Sequence, residues 1–168
     1  MINKSSVYLV KLKVDDDLAV YNMLQRIGKC ENEFKNTANG IPFEQFKNWL
    51  IQQDEWSQGI GIPTGYVPQS IYWLYHDDIP VGMGKIRHGL NQNSRMVGGN
   101  IGYAIDPFYR GRGYATQLLT LLIKKAKELE VHEILLTVEK YNPASKRVIE
   151  KVGGILIKET PERWYFIF

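Results

Sequence analysis

Apolar and polar residues alternate with a period of two over residues 6–14, which predicts a strand, and Asp15, Asp16 and Asp17 then offer helix-capping side chains. Val20, Leu24 and Ile27 recur at helical spacing, so a helix is expected over about 16–28. The polar, turn-rich "GKCENEFKNTANG" reads as a loop. In "IPFEQFKNWLIQQDEW" Pro42 suits a first helical turn, and Phe43, Phe46 and Leu50 form one face. Residues 57–69, rich in glycine and proline, read as a loop or lid.

Two strand candidates follow, "SIYWLYH" and "PVGMGKIRH", joined by the turn-forming Asp77 and Asp78. "GLNQNSRMVGG" reads as a loop and "NIGYAI" as the next strand. Ala115, Leu118, Leu119, Leu122, Ala126 and Leu129 then make a long helical stripe, with Lys124, Lys125 and Lys127 outside it. "EILLTV" is short and continuously apolar, the pattern of a buried strand. "NPASKRVIEKVGG" carries the marks of a short helix: Asn142 as cap, Pro143 in first position, and glycines past the end. "ILI" and "RWYFIF" close the chain as strands. This order predicts an α/β (α+β) fold, a mixed sheet with helices on both faces.

Between the third of these strands and the long helix lies "AIDPFYRGRGYATQLL". A strand that feeds a glycine-rich turn at a helix N-terminus aims several unpaired N–H groups and the positive end of the helix dipole at one point. Gly111 and Gly113 allow close backbone approach, and Arg110 and Arg112 add positive charge. A diphosphate suits such a turn. A Walker loop needs Gly-Lys-Ser/Thr, and the Gly-Lys pairs at 28 and 84 are followed by Cys30 and Ile86. A dinucleotide fingerprint needs a third glycine where Thr116 stands, and it usually opens a parallel strand-helix-strand series. A tight turn with solvated arginines is the remaining alternative on the turn alone.

At 168 residues the chain is expected to form one domain, 1–168. A net charge of +3 is too small and dispersed to argue for nucleic acid, though it suits an anionic small molecule. One cysteine, Cys30, excludes an intrachain disulfide and a cysteine-built zinc site and fits a reducing cytosol. The N-terminal "MINKSSVYLVKLKV" lacks an uninterrupted apolar core, and no stretch approaches the roughly 20 apolar residues of a membrane span. The reading is a cytoplasmic protein without a membrane partner. His76 and His132 show no metal-ligand spacing, and no metal is expected.

Arg110-Gly111-Arg112-Gly113-Tyr114-Ala115 resembles the Gln/Arg-x-x-Gly-x-Gly/Ala signature of the GCN5-related N-acetyltransferases, the GNAT family. The strand "NIGYAIDP", the long helix, "EILLTVEKYN" and "NPASKRVIEKVGG" fall in register with that resemblance, which covers about residues 80–158. Within the family the chain looks closest to bacterial predicted acetyltransferases of unknown substrate. The resemblance implies a central, mostly antiparallel sheet of about seven strands, with a splayed parallel pair forming a wedge for acetyl-CoA. The pyrophosphate would lie on N–H groups of Arg110, Gly111, Arg112, Gly113, Tyr114, Ala115 and Thr116. The pantetheine would run beside Tyr103, Ala104 and Ile105, with Asn142 and Ser145 near the arm. It further implies direct attack by a primary amine of a small molecule or peptide, and relatives are often homodimers. A non-catalytic acyl-CoA-binding module is the rival reading.

Direct transfer needs a deprotonated amine, a polarised thioester carbonyl and an outlet for the thiolate. The N–H of Ile105 is expected to polarise the carbonyl, a contribution of ~3 kcal/mol for such a donor. Glu139, at the end of the buried strand, is the favoured base, with His88, Glu31 and Glu33 as alternatives. Many relatives carry a tyrosine seven residues after the Asn as general acid, and here that position is Ile149. Tyr141 supplies the proton instead, or water does, or the thiol leaves unassisted. The loops "CENEFKNTANG" and 57–69 are expected to roof the acceptor pocket, and Glu31, Glu33, Trp56 and Tyr66 would suit a cationic acceptor, such as a polyamine or a peptide amine.

Overall fold

The computed structural model describes residues 6–168, so residues 1–5 of the expected domain lie outside the described part. Four strands, β1 (Val7–Lys11), β4 (Gln69–His76), β5 (Ile79–Arg87) and β6 (Ile101–Ile105), make one sheet in the order β1-β4-β5-β6. Three more, β7 (Leu135–Glu139), β8 (Ile155–Glu159) and β9 (Arg163–Ile167), make a second in the order β7-β9-β8. Every ladder within these sheets is antiparallel. The expected seven strands are therefore present, divided between two sheets instead of running through one.

Alternation along β4 sorts its side chains onto two faces. Ile71 and Trp73 enter a core with Val20, Met23 and Leu24 of helix α1 (Leu18–Ile27) and Phe46 and Leu50 of α2 (Phe43–Ser57). Tyr72 and Leu74 enter the opposite core with Leu118, Leu119 and Leu122 of α4 (Tyr114–Glu128), Leu136 and Phe166. Helices thus cover both faces, and the nearly unbroken apolar run of β4 is explained by burial on both sides.

Hydrogen bonds join the two sheets at one end. Asn100 N–H donates to the Leu135 carbonyl (2.6 Å), and Leu135 N–H donates back to Asn100 Oδ1 (2.9 Å). The Asn100 amide also donates to the Arg87 carbonyl (3.2 Å), while Arg87 N–H donates to the Asn100 carbonyl (2.7 Å). Gly99 makes this approach feasible: its φ is +67°, and a Cβ there would stand 2.1 Å from the Leu135 carbonyl oxygen. Beyond this joint β6 and β7, linked through α4, form no ladder with each other. A cleft opens between them.

Several expectations shift. The loop over 28–40 holds a hairpin, β2 (Cys30–Glu31) and β3 (Phe34–Lys35), turned through Asn32 (φ 47°) and Glu33 (φ 63°). Two-residue strands leave no alternation to read, and the two positive φ angles are the mark of a type I′ turn. The loop over 89–99 holds a short helix, α3 (Gln92–Met96), closed by reciprocal bonds of Asn91 and Ser94. On α2 the buried face is Phe46, Trp49, Leu50 and Gln53, and Phe43 is exposed. Leu129 is likewise exposed, just past the end of α4. The last helix, α5 (Pro143–Lys151), is capped by Asn142 Oδ1, which accepts from Ser145 N–H (3.2 Å), as the sequence predicts.

Candidate active site

The cleft between β6 and β7 measures about 990 Å³. Of the residues expected at the site, Tyr103, Ala104, Ile105, Arg110, Gly111, Gly113, Tyr114, Ala115, Thr116, Glu139, Asn142 and Ser145 line it, and Arg112 and Tyr141 do not. Arg112 instead lies over the Tyr109 ring (5.6 Å).

One wall is the outer edge of β6. Asp106 N–H bonds to the Val81 carbonyl (3.0 Å) and the Asn100 carbonyl takes the Arg87 N–H, so the even-numbered residues of β6 bond β5. By the alternation of an antiparallel ladder, Tyr103 and Ile105 turn their N–H and C=O groups to the opposite edge, into the cleft. The Ile105 carbonyl there accepts from Arg110 Nε (3.1 Å). Its N–H faces the cleft on the same edge. The Tyr103 hydroxyl crosses to α5, where it bonds Ser145 Oγ (2.7 Å), and burial pushes the phenol up to about 12.

The floor at one end is the start of α4. Gly113 is the N-cap residue at φ +83°, and no side chain caps this helix. The N–H groups of Tyr114, Ala115 and Thr116 precede the first helical hydrogen bond, which Gln117 N–H makes to the Gly113 carbonyl (3.2 Å). Nothing lies within 4 Å of a Cβ built on Gly111 or Gly113, so space is open above these donors. An anionic group fits this cradle on geometry and on the helix dipole.

Two arginines, rather than open charge, brace the cleft. Arg110 Nη1 and Nη2 grip both carboxylate oxygens of Glu31 (2.9 and 2.6 Å), which ties the β2–β3 hairpin to the glycine turn. Arg163 on β9 grips both oxygens of Glu33 in the same manner. Glu31 and Glu33 thus already hold cations of the chain itself. Arg26 completes the frame, with Nε and Nη2 on the buried Asp106 (2.8 and 2.7 Å) where β6 ends.

Glu139 stands at the end of β7 with its side chain 13% exposed. Its Oε1 is 3.7 Å from Arg163 Nη1, and its Oε2 is buried without a partner among the described residues. Burial raises its pKa above the ordinary carboxylate value, and neighbouring Glu33 adds to the effect. Tyr141 is 69% exposed, and the Glu139 carboxylate beside it pushes its phenol up to about 12. His88 does not line the cleft; its Nε2 bonds Ser70 Oγ (2.8 Å). Ile149, where the sequence pattern leaves the expected acid out, is 1% exposed and belongs to the core that backs the cleft.

Gln53, Lys85 and Arg87 line the cleft and escaped the sequence reading. The signal was present for two of them: in "PVGMGKIRH" Lys85 and Arg87 share the face of the apolar Met83. Among the described residues no group of three or more His, Cys, Asp or Glu could hold a metal ion, and no helix is long and apolar enough to cross a membrane.

Residues 30–154 match the model of the acetyltransferase (GNAT) family. The chain belongs to that family and is an acetyltransferase. No curated protein matches it in sequence. Among solved structures it is similar to RimL, a ribosomal L7/L12 α-N-protein acetyltransferase in complex with coenzyme A, with a TM-score of 0.71 at 13% identity over 98% of this chain and 94% of that one. A ribosomal-protein-S5-alanine acetyltransferase from Vibrio fischeri gives 0.70 at 15% identity, covering 99% and 96%. The Campylobacter jejuni N-acetyltransferase PseH in complex with acetyl coenzyme A gives 0.65 at 14%, covering 97% and 98%. At these identities the likeness is one of fold.

Proposed function

We propose that this chain transfers the acetyl group of acetyl-CoA directly to a primary amine of a small molecule or a peptide. The observation that carries this reading is one cleft lined both by the uncapped start of α4 and by Glu139, whose Oε2 is unpartnered. The residues fit the co-substrate. The turn from Arg110 to Thr116 would receive the pyrophosphate on backbone donors, the turned-out edge of Tyr103 and Ile105 would pair with the pantetheine amides, and Asn142 and Ser145 would face the arm. Solved neighbours that hold coenzyme A or acetyl coenzyme A in their own structures support the same reading.

The chemistry assigned to the chain is small in number of parts. Ile105 N–H polarises the thioester carbonyl. Glu139, ionised, takes the proton of the attacking amine, and its raised pKa brings it nearer to that task. A thiol with a pKa of ~8.5 leaves as the thiolate without a donor, and a Tyr141 phenol at about 12 is a poor source of the proton. Tyr141 is assigned to tuning Glu139. The Arg110–Glu31 pair carries the acceptor-side hairpin on the co-substrate turn, so the two halves of the cleft are positioned together. The test is an amine screen that follows CoA release and acetylated product by mass spectrometry. Acetyl-CoA binding with no product from any amine would favour an acyl-CoA-binding module.

A further inference from the structure

Lys85 and Arg87 stand two residues apart on the face of β5 that looks toward α2 and the β2–β3 hairpin. Lys85 lies opposite Ile71 and Gly102, and Arg87 opposite Gln69. Lys85 Nζ donates to the Lys35 carbonyl and sits 4.9 Å from the centre of the Phe34 ring. Arg87 Nη1 donates to the Gly99 carbonyl (2.7 Å). Neither cation has a carboxylate partner among the described residues, although both line the cleft. The two hairpin acids nearby are already taken, Glu31 by Arg110 and Glu33 by Arg163. Burial, with Arg87 and Lys35 as like-charged neighbours, pushes the Lys85 ammonium down to about 8.

A third polar group lines the same cleft. Gln53, on the buried face of α2, is 4% exposed, and its Nε2 is a buried donor without a partner. Such donors are rare in folded proteins because each forfeits its bonds to water. Two uncompensated cations and one unmet donor in one cavity call for an anionic acceptor of hydrogen bonds.

We propose that the amine substrate carries a carboxylate, and that Gln53, Lys85 and Arg87 hold it at the acceptor end of the cleft. The inference rests on the acetyl-transfer reading of the site and adds the class of acceptor. A carboxylate offers enough lone pairs for an amide and two cations, and it relieves the repulsion between them. A diamine would place a further cation against Lys85 and Arg87. The acidic residues of the hairpin do not favour one, since their charge is spent inside the protein. The acceptor is accordingly amino-acid-like rather than a polyamine.

Binding is read first, by titration calorimetry of the whole protein with 4-aminobutyrate and 6-aminohexanoate. The matched primary amides, diamines and aminoalkylphosphonates of equal length serve as comparisons. The amino carboxylates should bind at least ~10-fold tighter than amides or diamines, the scale of charge-assisted hydrogen bonds. Lys85→Met should erase that preference, and Gln53→Glu should reverse it toward the diamines, with acetyl-CoA titration confirming that both variants are folded. Equal binding of carboxylate and amide, a preference for diamines or phosphonates, or a preference unchanged in both variants would overturn the proposal. CoA release with the same compounds separates the two readings. Carboxylates that bind while no amine releases CoA leave the subsite standing and remove acetyl transfer, whereas CoA release with diamines alone does the reverse.

Discussion

Asn100 and Leu135 exchange two hydrogen bonds, 2.6 and 2.9 Å, at the end where the two sheets are joined. Asn100 is 2% exposed, and its amide also reaches the Arg87 carbonyl on β5. One side chain therefore pins three strands at the apex of the cleft. The cleft opens because this pinning stops there.

Asn100→Ala should cost ~3 kcal/mol of stability, because it leaves the Leu135 N–H and the Arg87 carbonyl short of partners in a buried place. Asn100→Asp keeps the acceptor for Leu135 N–H but sets a carboxylate oxygen against the Arg87 carbonyl in a buried place, so its loss should be at least as large. Chemical denaturation measures both. An Ala variant as stable as the parent would show that the joint is held by packing alone.

Gly113→Glu should abolish acetyl-CoA binding in a folded protein. The residue sits at φ +83° with open space above it, so the new side chain and its negative charge would enter the proposed phosphate cradle. Calorimetry gives the answer, with a melting curve to separate lost binding from lost fold. Unchanged affinity would move the pyrophosphate elsewhere.

The order of strands and helices was legible because most elements are long enough to show a period. β4 read as a strand from its apolar run, and α4 from a stripe of leucines. The β2–β3 hairpin was not legible, since two-residue strands have no period and its turn uses Asn32 and Glu33 where Asn-Gly would be the usual signal. The glycine turn could be read because its chemistry is local: a backbone conformation and a helix start. The fate of charges could not. Glu31 and Glu33 resemble free pocket carboxylates until Arg110 and Arg163, 79 and 130 residues away, are seen to hold them. Gln53 shows the same limit from the other side, because an unmet donor exists only once its neighbours are known.

Asn142 separates a structural role from a proposed binding one. Its Oδ1 caps α5 through Ser145 N–H, and it also lines the cleft. Asn142→Ala should lose ~1 kcal/mol of stability along with acetyl-CoA affinity. Asn142→Asp keeps the cap and should stay close to the parent in melting temperature, yet its negative charge should raise the acetyl-CoA Kd several-fold. If the Asp variant binds like the parent, Asn142 is only a cap.

The last prediction concerns Glu139 and the two residues that set its ionisation. As a base Glu139 works only when ionised, so activity should fall as pH drops through its pKa. Burial first, and Glu33 after it, hold that pKa above the ordinary carboxylate value of ~4.3, which places the acid limb of the rate profile higher than usual. Glu33→Gln removes a negative neighbour and frees Arg163 to face Glu139; both changes favour the ionised form. The limb should move to lower pH. Tyr141→Phe removes a hydroxyl whose presence beside Glu139 favours the ionised form, so its limb should move to higher pH, with little change in the plateau rate. Glu139→Gln should remove the limb and lower kcat by ~10²-fold or more. The measurement is kcat against pH for the parent and the three variants, at saturating acetyl-CoA. A plateau rate that falls ~10²-fold in Tyr141→Phe would instead make that phenol the proton donor to sulfur. Limbs that stay fixed in both neighbour variants would place the base on another residue, because Glu139 cannot keep its pKa when the charges around it change.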